Sequence, residues 1–120
     1  MDKGAQLYRE LIDTLVQMSR KSVGEQWALK GEAKGTDEHI AKLNKLFAKL
    51  SDDERKTLAE FAADEYMSGI YDTLCELEWY ADCKDMTISI DGEQLPLQKY
   101  EGMGNDFIGR RSGDWDWSEL

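Results

Sequence analysis

Met86-Thr87-Ile88-Ser89-Ile90-Asp91-Gly92-Glu93-Gln94-Leu95-Pro96-Leu97 is the stretch that decides the fold class. Upstream of it, apolar residues recur every three to four positions; inside it they alternate, with Met86, Ile88 and Ile90 separated by Thr87 and Ser89. A period of two belongs to a strand with one covered face. Asp91-Gly92 is a pair favoured in two-residue hairpin turns. That turn pairs Ile88 with Leu95 and Met86 with Leu97, places all four on one sheet face, and leaves Pro96 outward or on an edge.

Working back toward the N-terminus, Ser51-Asp52-Asp53-Glu54 has the form of a capping box, in which Ser51 and Glu54 satisfy each other's end-of-helix donors. It opens a long third helix, expected over residues 52 to 82, with Leu58, Ala62, Tyr66, Ile70, Leu77 and Ala81 on its inner face. Gly69 in its middle costs about 1 kcal/mol against Ala and predicts a kink or a close helix contact. The box also closes a second helix, with Ile40, Leu43, Leu46, Phe47 and Leu50 as its buried stripe. Thr36 is its expected cap, ahead of Asp37 and Glu38. So short a connection packs the two helices antiparallel. A first amphipathic helix is expected over residues 3 to 22, from Leu7, Leu11, Ile12, Leu15, Val16, Met18 and Val23. Between Gly24 and Gly35 the period fades into a loop with one short turn around Gln26-Trp27-Ala28-Leu29.

Past the hairpin the chain is glycine-rich, and Gly102-Met103-Gly104-Asn105-Asp106-Phe107 reads as a loop that fails the dinucleotide fingerprint. Gly113-Asp114-Trp115-Asp116-Trp117 would place both indoles on one side and the carboxylates on the other if extended. The expected fold is therefore α+β and mainly α. Three antiparallel-packed helices precede a β-hairpin and an irregular or short-strand C-terminal tail, all in a single domain over residues 1–120.

Charge divides the chain unevenly. Residues 1 to 60 carry 11 Lys/Arg against 11 Asp/Glu, and residues 61 to 120 carry 4 against 14, which places the whole net charge of −10 in the second half. Such a field repels nucleic acid and attracts cations or basic surfaces. Lys42, Lys45 and Lys49 make a basic stripe on the second helix, but it lacks interleaved aromatics and reads as a solvated face. With no long apolar run and no leader-like start, a cytoplasmic protein without a membrane span is expected. Cys75 and Cys83 lie about 12 Å apart along one helix, too far for a disulfide, and read as free thiols.

No arrangement of catalytic residues stands out. His39, the single histidine, lies near the start of the second helix without a metal or nucleophile motif around it. Asp72 with Glu76, and Asp114 with Asp116, match no calcium loop, and no cofactor or metal is expected. Arg110-Arg111, the only basic pair of the acidic half, is expected to anchor the tail to acids such as those of the third helix.

The third helix carries the strongest interaction signal. Glu60, Asp64, Met67, Tyr71, Cys75, Glu78 and Asp82 form one stripe nearly opposite its inner face. Acids flank an apolar centre, as in an interface where anchors give affinity and a charged rim gives steering. The expected partner-binding residues are Asp64, Met67, Tyr71, Asp72, Glu76, Glu78 and Asp82, with Met67 and Tyr71 as anchors, unless the hairpin or the tail covers the stripe. In size, acidity and lack of catalytic residues the chain is similar to bacterial immunity proteins, which neutralise basic nuclease or pore-forming toxins. That resemblance implies a non-catalytic binding module with a basic protein partner. The alternatives are a structural or regulatory homodimer joined through the second and third helices, and a small carboxylate-dependent hydrolase using His39.

Overall fold

In the computed structural model, which describes residues 2–114, 116 and 117, five helices and one two-stranded antiparallel sheet follow one another in the order α1 (Lys3–Ser19), α2 (Val23–Lys30), α3 (Glu38–Lys49), α4 (Asp52–Cys83), β1 (Ser89–Ile90), β2 (Glu93–Gln94) and α5 (Met103–Ser112). The chain is α+β and mainly helical, as its periodicities require. It divides into two compact units: Ser19–Met67 forms one, and Met1–Met18 with Ser68–Leu120 forms the other.

The unit Ser19–Met67 has a core of Ala28, Ala33, Ile40, Phe47 and Ala59, with Trp27, Leu43, Leu50 and Leu58 packed against it. The expected loop after Gly24 is instead the helix α2. Ser22 Oγ accepts from Glu25 N at 3.1 Å, and Gly31 at φ 74° ends the helix in the left-handed conformation that glycine adopts without strain. Ser22 and Gly31 are thus a start and a stop signal around eight residues too weakly amphipathic to show a period of their own. Asp37, not Thr36, caps α3, accepting from Ile40 N at 3.0 Å. The Asn44 amide brackets the preceding loop, accepting from Ala33 N at 2.7 Å and donating to Ala33 O at 3.0 Å.

The capping box forms as read: Ser51 N donates to Glu54 Oε1 at 2.8 Å and Glu54 N to Ser51 Oγ at 3.1 Å. The hydrogen bonds from the Ser51 backbone and hydroxyl hold the Glu54 carboxyl below its ordinary value. Arg55 completes the junction, donating to Leu50 O at 3.0 Å and pairing with Asp52.

In the other unit, Ala5, Tyr8, Ile12 and Val16 make the buried stripe of α1, and Leu74 and Ala81 of α4, Leu95, Leu97, Met103, Phe107 and Trp117 are buried with them. The hairpin turns on Asp91 and Gly92, at φ 51° and 78°, the double positive φ of a type I′ turn. Ser89 pairs with Gln94 and Ile90 with Glu93. Leu95 N donates to Ile88 O at 2.8 Å, which continues the expected register by one pair. Gly4 of α1 lies so close to the Gln94 carbonyl that a Cβ there would overlap it.

The C-terminal segment differs most from expectation. Where an irregular tail was expected, α5 buries Met103, Gly104, Asp106, Phe107 and Gly109, and Gly113 closes it at φ 77°. Two glycines on its covered face depress helix propensity, and close packing outweighs that cost. Arg110 takes the expected internal role, but its acid is Asp13 of α1 rather than one of the third helix. Trp115 lies outside the described residues.

On α4 the expected inner face holds in part. Ala81 is buried and Leu58, Ala62, Ile70 and Leu77 are half-buried, whereas Tyr66 is exposed and the fully covered positions include Ala59 and Leu74. Each half of α4 packs within its own unit, so one stripe drawn over all its turns misplaces side chains. No close contact surrounds Gly69, since a Cβ there would meet nothing within 4 Å. Gly69→Ala should therefore raise stability by roughly 0.5–1 kcal/mol in urea denaturation, while Gly4→Ala, facing a backbone carbonyl that cannot give way, should lower it.

Candidate functional site

From Thr57 to Cys83, α4 carries seven acids, Glu60, Asp64, Glu65, Asp72, Glu76, Glu78 and Asp82, and no Lys or Arg. What these turns can do depends on which side chains the rest of the unit covers. In the unit containing Ser68–Leu120, the cover is the C-terminal segment, and its position is set by one buried carboxylate.

Asp106, in the first turns of α5, is fully buried. Its Oδ2 accepts from the Tyr8 hydroxyl at 2.5 Å, and its Oδ1 accepts from Glu101 N at 3.1 Å. Burial raises the Asp106 carboxyl above its ordinary value, and the bonds from Tyr8 and Glu101 offset that only partly. Burial, followed by the bond to Asp106, also pushes the Tyr8 hydroxyl far above its ordinary value, so Tyr8 remains a donor.

Around this pair the aromatic rings close a clasp. Tyr8 stacks on Tyr100 at 5.8 Å and meets Trp117 edge-on at 6.1 Å. Arg9 lies over both Tyr100 and Trp117, at 5.6 and 5.5 Å, and Arg110 lies over Trp117 at 5.3 Å. Arg110 grips Asp13 with two bonds, Nε to Oδ1 at 2.8 Å and the terminal nitrogen to Oδ2 at 3.1 Å, and Trp117 Nε1 donates to the same Oδ2 at 3.0 Å. That bidentate bond raises the Arg110 pKa further.

Held in this way, α5 covers part of the stripe on α4. A Cβ at Gly104 would sit 2.6 Å from Cys75 Sγ and 3.3 Å from the Tyr71 ring, so only glycine lets the helices approach this closely. Gly104 N donates to Glu78 Oε1 at 3.2 Å, and Gln98 Nε2 donates to Asp82 at 2.9 Å. Hydrogen bonding to Cys75 pushes the Tyr71 hydroxyl above its ordinary value. Glu78 and Asp82, with Leu97, Gln98, Tyr100, Glu101 and Gly102, line a cleft of about 180 Å³, smaller than the pockets that take drug-sized ligands.

The expected partner-binding residues therefore separate. Tyr71 and Glu78 are half-buried against the C-terminal segment, with Cys75 beside them; Asp72 and Glu76 are exposed; Asp82 is exposed and bonded to Gln98. Asp64, exposed, and Met67, half-buried, belong to the other unit, as does the exposed His39. Cys75 and Cys83 are free thiols, as their spacing required. Among the described residues no three His, Cys, Asp or Glu side chains converge in a metal-binding group, and no helix is long and apolar enough to cross a membrane.

Two aromatic residues outside the expected set stand on the same turns of α4. Trp79 and Tyr80 are 48% and 47% exposed, and their rings meet edge to face with centroids 5.0 Å apart. Glu76 lies one turn before both, Asp72 a turn earlier, and Asp82 three residues beyond Trp79. Lys84 lies 5.8 Å from the Trp79 ring. The signal was present in the sequence: adjacent helical residues point 100° apart, so a Trp-Tyr pair cannot turn wholly inward.

This is a mainly helical α+β chain whose exposed Trp79–Tyr80 pair is set among carboxylates. A match to a family described as "Family of unknown function (DUF6547)" spans residues 1–119, and the chain belongs to that family. Neither the curated proteins nor the solved structures gave a match.

Tyr8→Phe should leave the Asp106 carboxylate short of a donor and cost about 1–3 kcal/mol in denaturant unfolding. Because the folded value of Asp106 is raised, its contribution to stability is full below the ordinary carboxylate value and is lost as pH rises through the folded value. Unfolding free energies measured from about pH 3 to about pH 7 should thus shift in favour of Asp106→Asn over the parent chain as pH rises.

Proposed function

We propose that this protein is a non-catalytic binding module whose acidic surface docks a basic protein partner, in the manner of an immunity protein that neutralises a basic toxin. The reading rests above all on the exposed Trp79–Tyr80 pair among Asp72, Glu76 and Asp82. Trp and Tyr are the residues most often found at the energetic centre of interfaces, because each buries a large rigid surface at small entropic cost. Carboxylates around them would speed encounter with a basic surface and oppose an acidic one. The net charge of −10 supports the same polarity.

In this arrangement Trp79 and Tyr80 replace Met67 and Tyr71 as anchors, and Asp72, Glu76 and Asp82 keep the rim role. Cys83, exposed and one turn beyond Trp79, offers a site for a thiol-attached photocrosslinker. The crosslinked species should be a basic protein, and capture should fall steeply when salt shortens the screening length from about 10 Å at 0.1 M. Trp79→Ala should weaken binding of the identified partner by about 2 kcal/mol or more, and Glu76→Lys should slow its association. An acidic partner, or a basic one bound equally by the Trp79→Ala chain and at high salt, would overturn the reading.

A further inference from the structure

In the unit Ser19–Met67, α3 and α4 leave an apolar groove between them. It has a volume of about 530 Å³ and is lined by Leu46, Leu50, Glu54, Thr57, Leu58 and Phe61. Leu46 and Phe61 stand at its two edges, 46% and 63% exposed. Leaving a phenylalanine this exposed forgoes up to about 1.5–3 kcal/mol of burial, so the free surface is costly in water.

The charges beside the groove indicate what would cover it. On α3, Lys42, Lys45 and Lys49 are exposed and lie on the flank of Leu46 that faces away from Leu43 and Phe47. On α4, Asp53, Glu60 and Asp64 are exposed and lie on the flank of Phe61 that faces away from Leu58 and Ala62. The groove therefore runs between a mainly basic rail, with Glu38 at its start, and a mainly acidic rail, with Lys56 beside it. One partner complements both rails at once and is present whenever the protein is, namely a second copy.

We propose that this groove is the interface of a homodimer whose two-fold axis runs parallel to α3 and α4. That axis lays the α3 of each copy against the α4 of the other, basic rail on acidic rail, on both sides of the interface. The alternative axis, across the helices, would set Lys against Lys and acid against acid. Because this axis preserves position along the helices, it also fixes the pairs. At 1.5 Å per residue, Lys42 and Glu60 both lie about 13–14 Å from the Leu50-Ser51 connection, and Lys49 and Asp53 both about 2–4 Å from it. Lys42 thus meets Glu60 across the interface and Lys49 meets Asp53, Glu38 comes opposite Asp64 with Lys42 paired to it, and Phe61 of each copy packs on the other's α3 about 9 Å beyond Leu46. Lys42 also has Glu38 at 3.7 Å within its own helix, an exposed pair that leaves its other donors free.

Sedimentation velocity on the full chain between about 1 µM and about 1 mM tests this directly. The chain should show a concentration-dependent dimer, and Phe61→Ser should raise its dissociation constant about tenfold or more. Lys42→Glu and Glu60→Lys should each shift the equilibrium to monomer. Mixing the two single variants should restore a dimer containing one of each, since both cross-pairs then regain opposite charges. Circular dichroism melts of these surface variants should match the parent. A monomer throughout the range, or charge variants that fail to complement one another on mixing, would overturn the proposal. It concerns a different surface from Trp79 and Tyr80, so either result leaves the partner reading to its own test.

Discussion

A carboxylate out of contact with water has to find donors or take up a proton, and Asp106 is in that position. Its two bonds tie together three parts of the chain: Tyr8 of α1, the backbone at Glu101, and α5 itself. Once α5 is held there, the close approach at Gly104 follows, and with it the cover over Tyr71, Cys75 and Glu78. The same cover leaves Trp79 and Tyr80 outside. The exposed face of α4 in this unit is in that sense a consequence of one buried acid on another helix.

Features that rest on local rules could be read from the sequence. The hairpin register follows from alternation plus a turn whose two residues tolerate positive φ, and Ile88 meets Leu95 as expected. The capping box at Ser51 and Glu54 needs only four residues to be recognised. By contrast, α5 has glycines at 104 and 109 that weaken its propensity, and Gly104 serves only through its close approach to the distant Cys75 and Tyr71. α2 was hidden because eight residues with one buried side chain produce almost no periodicity, leaving Ser22 and Gly31 as its only marks. On α4 the exposure of Asp72, Glu76 and Asp82 follows from helical phase, whereas the half-burial of Tyr71 and Glu78 and the exposure of Trp79 and Tyr80 turn on where α5 packs, which phase alone does not reveal.

The division of charge has a similar lesson. A first half that sums to zero still has local order: Lys42, Lys45 and Lys49 cluster on the outer flank of α3, with Glu38 before them, and Asp53 and Glu60 on that of α4, with Lys56 between them. A net charge averages over such order. The −10 of the second half is likewise divided between acids engaged by backbone or side-chain donors, such as Asp106, Glu78 and Asp82, and acids such as Asp72 and Glu76 that face solvent.

The clasp of Tyr8, Asp13, Asp106, Arg110 and Trp117 also bears on how the chain is made. Its bonds join residues 97, 98 and 104 positions apart. Synthesis proceeds from the N-terminus, so the buried face of α1 emerges long before Phe107 or Trp117 exists to cover it. Ser19–Met67, in contrast, is continuous in sequence and has all of its own contacts available earlier. Closing so wide a loop is slow, and in the interval Tyr8, Ile12 and Val16 are an exposed apolar stripe that a chaperone would have reason to hold.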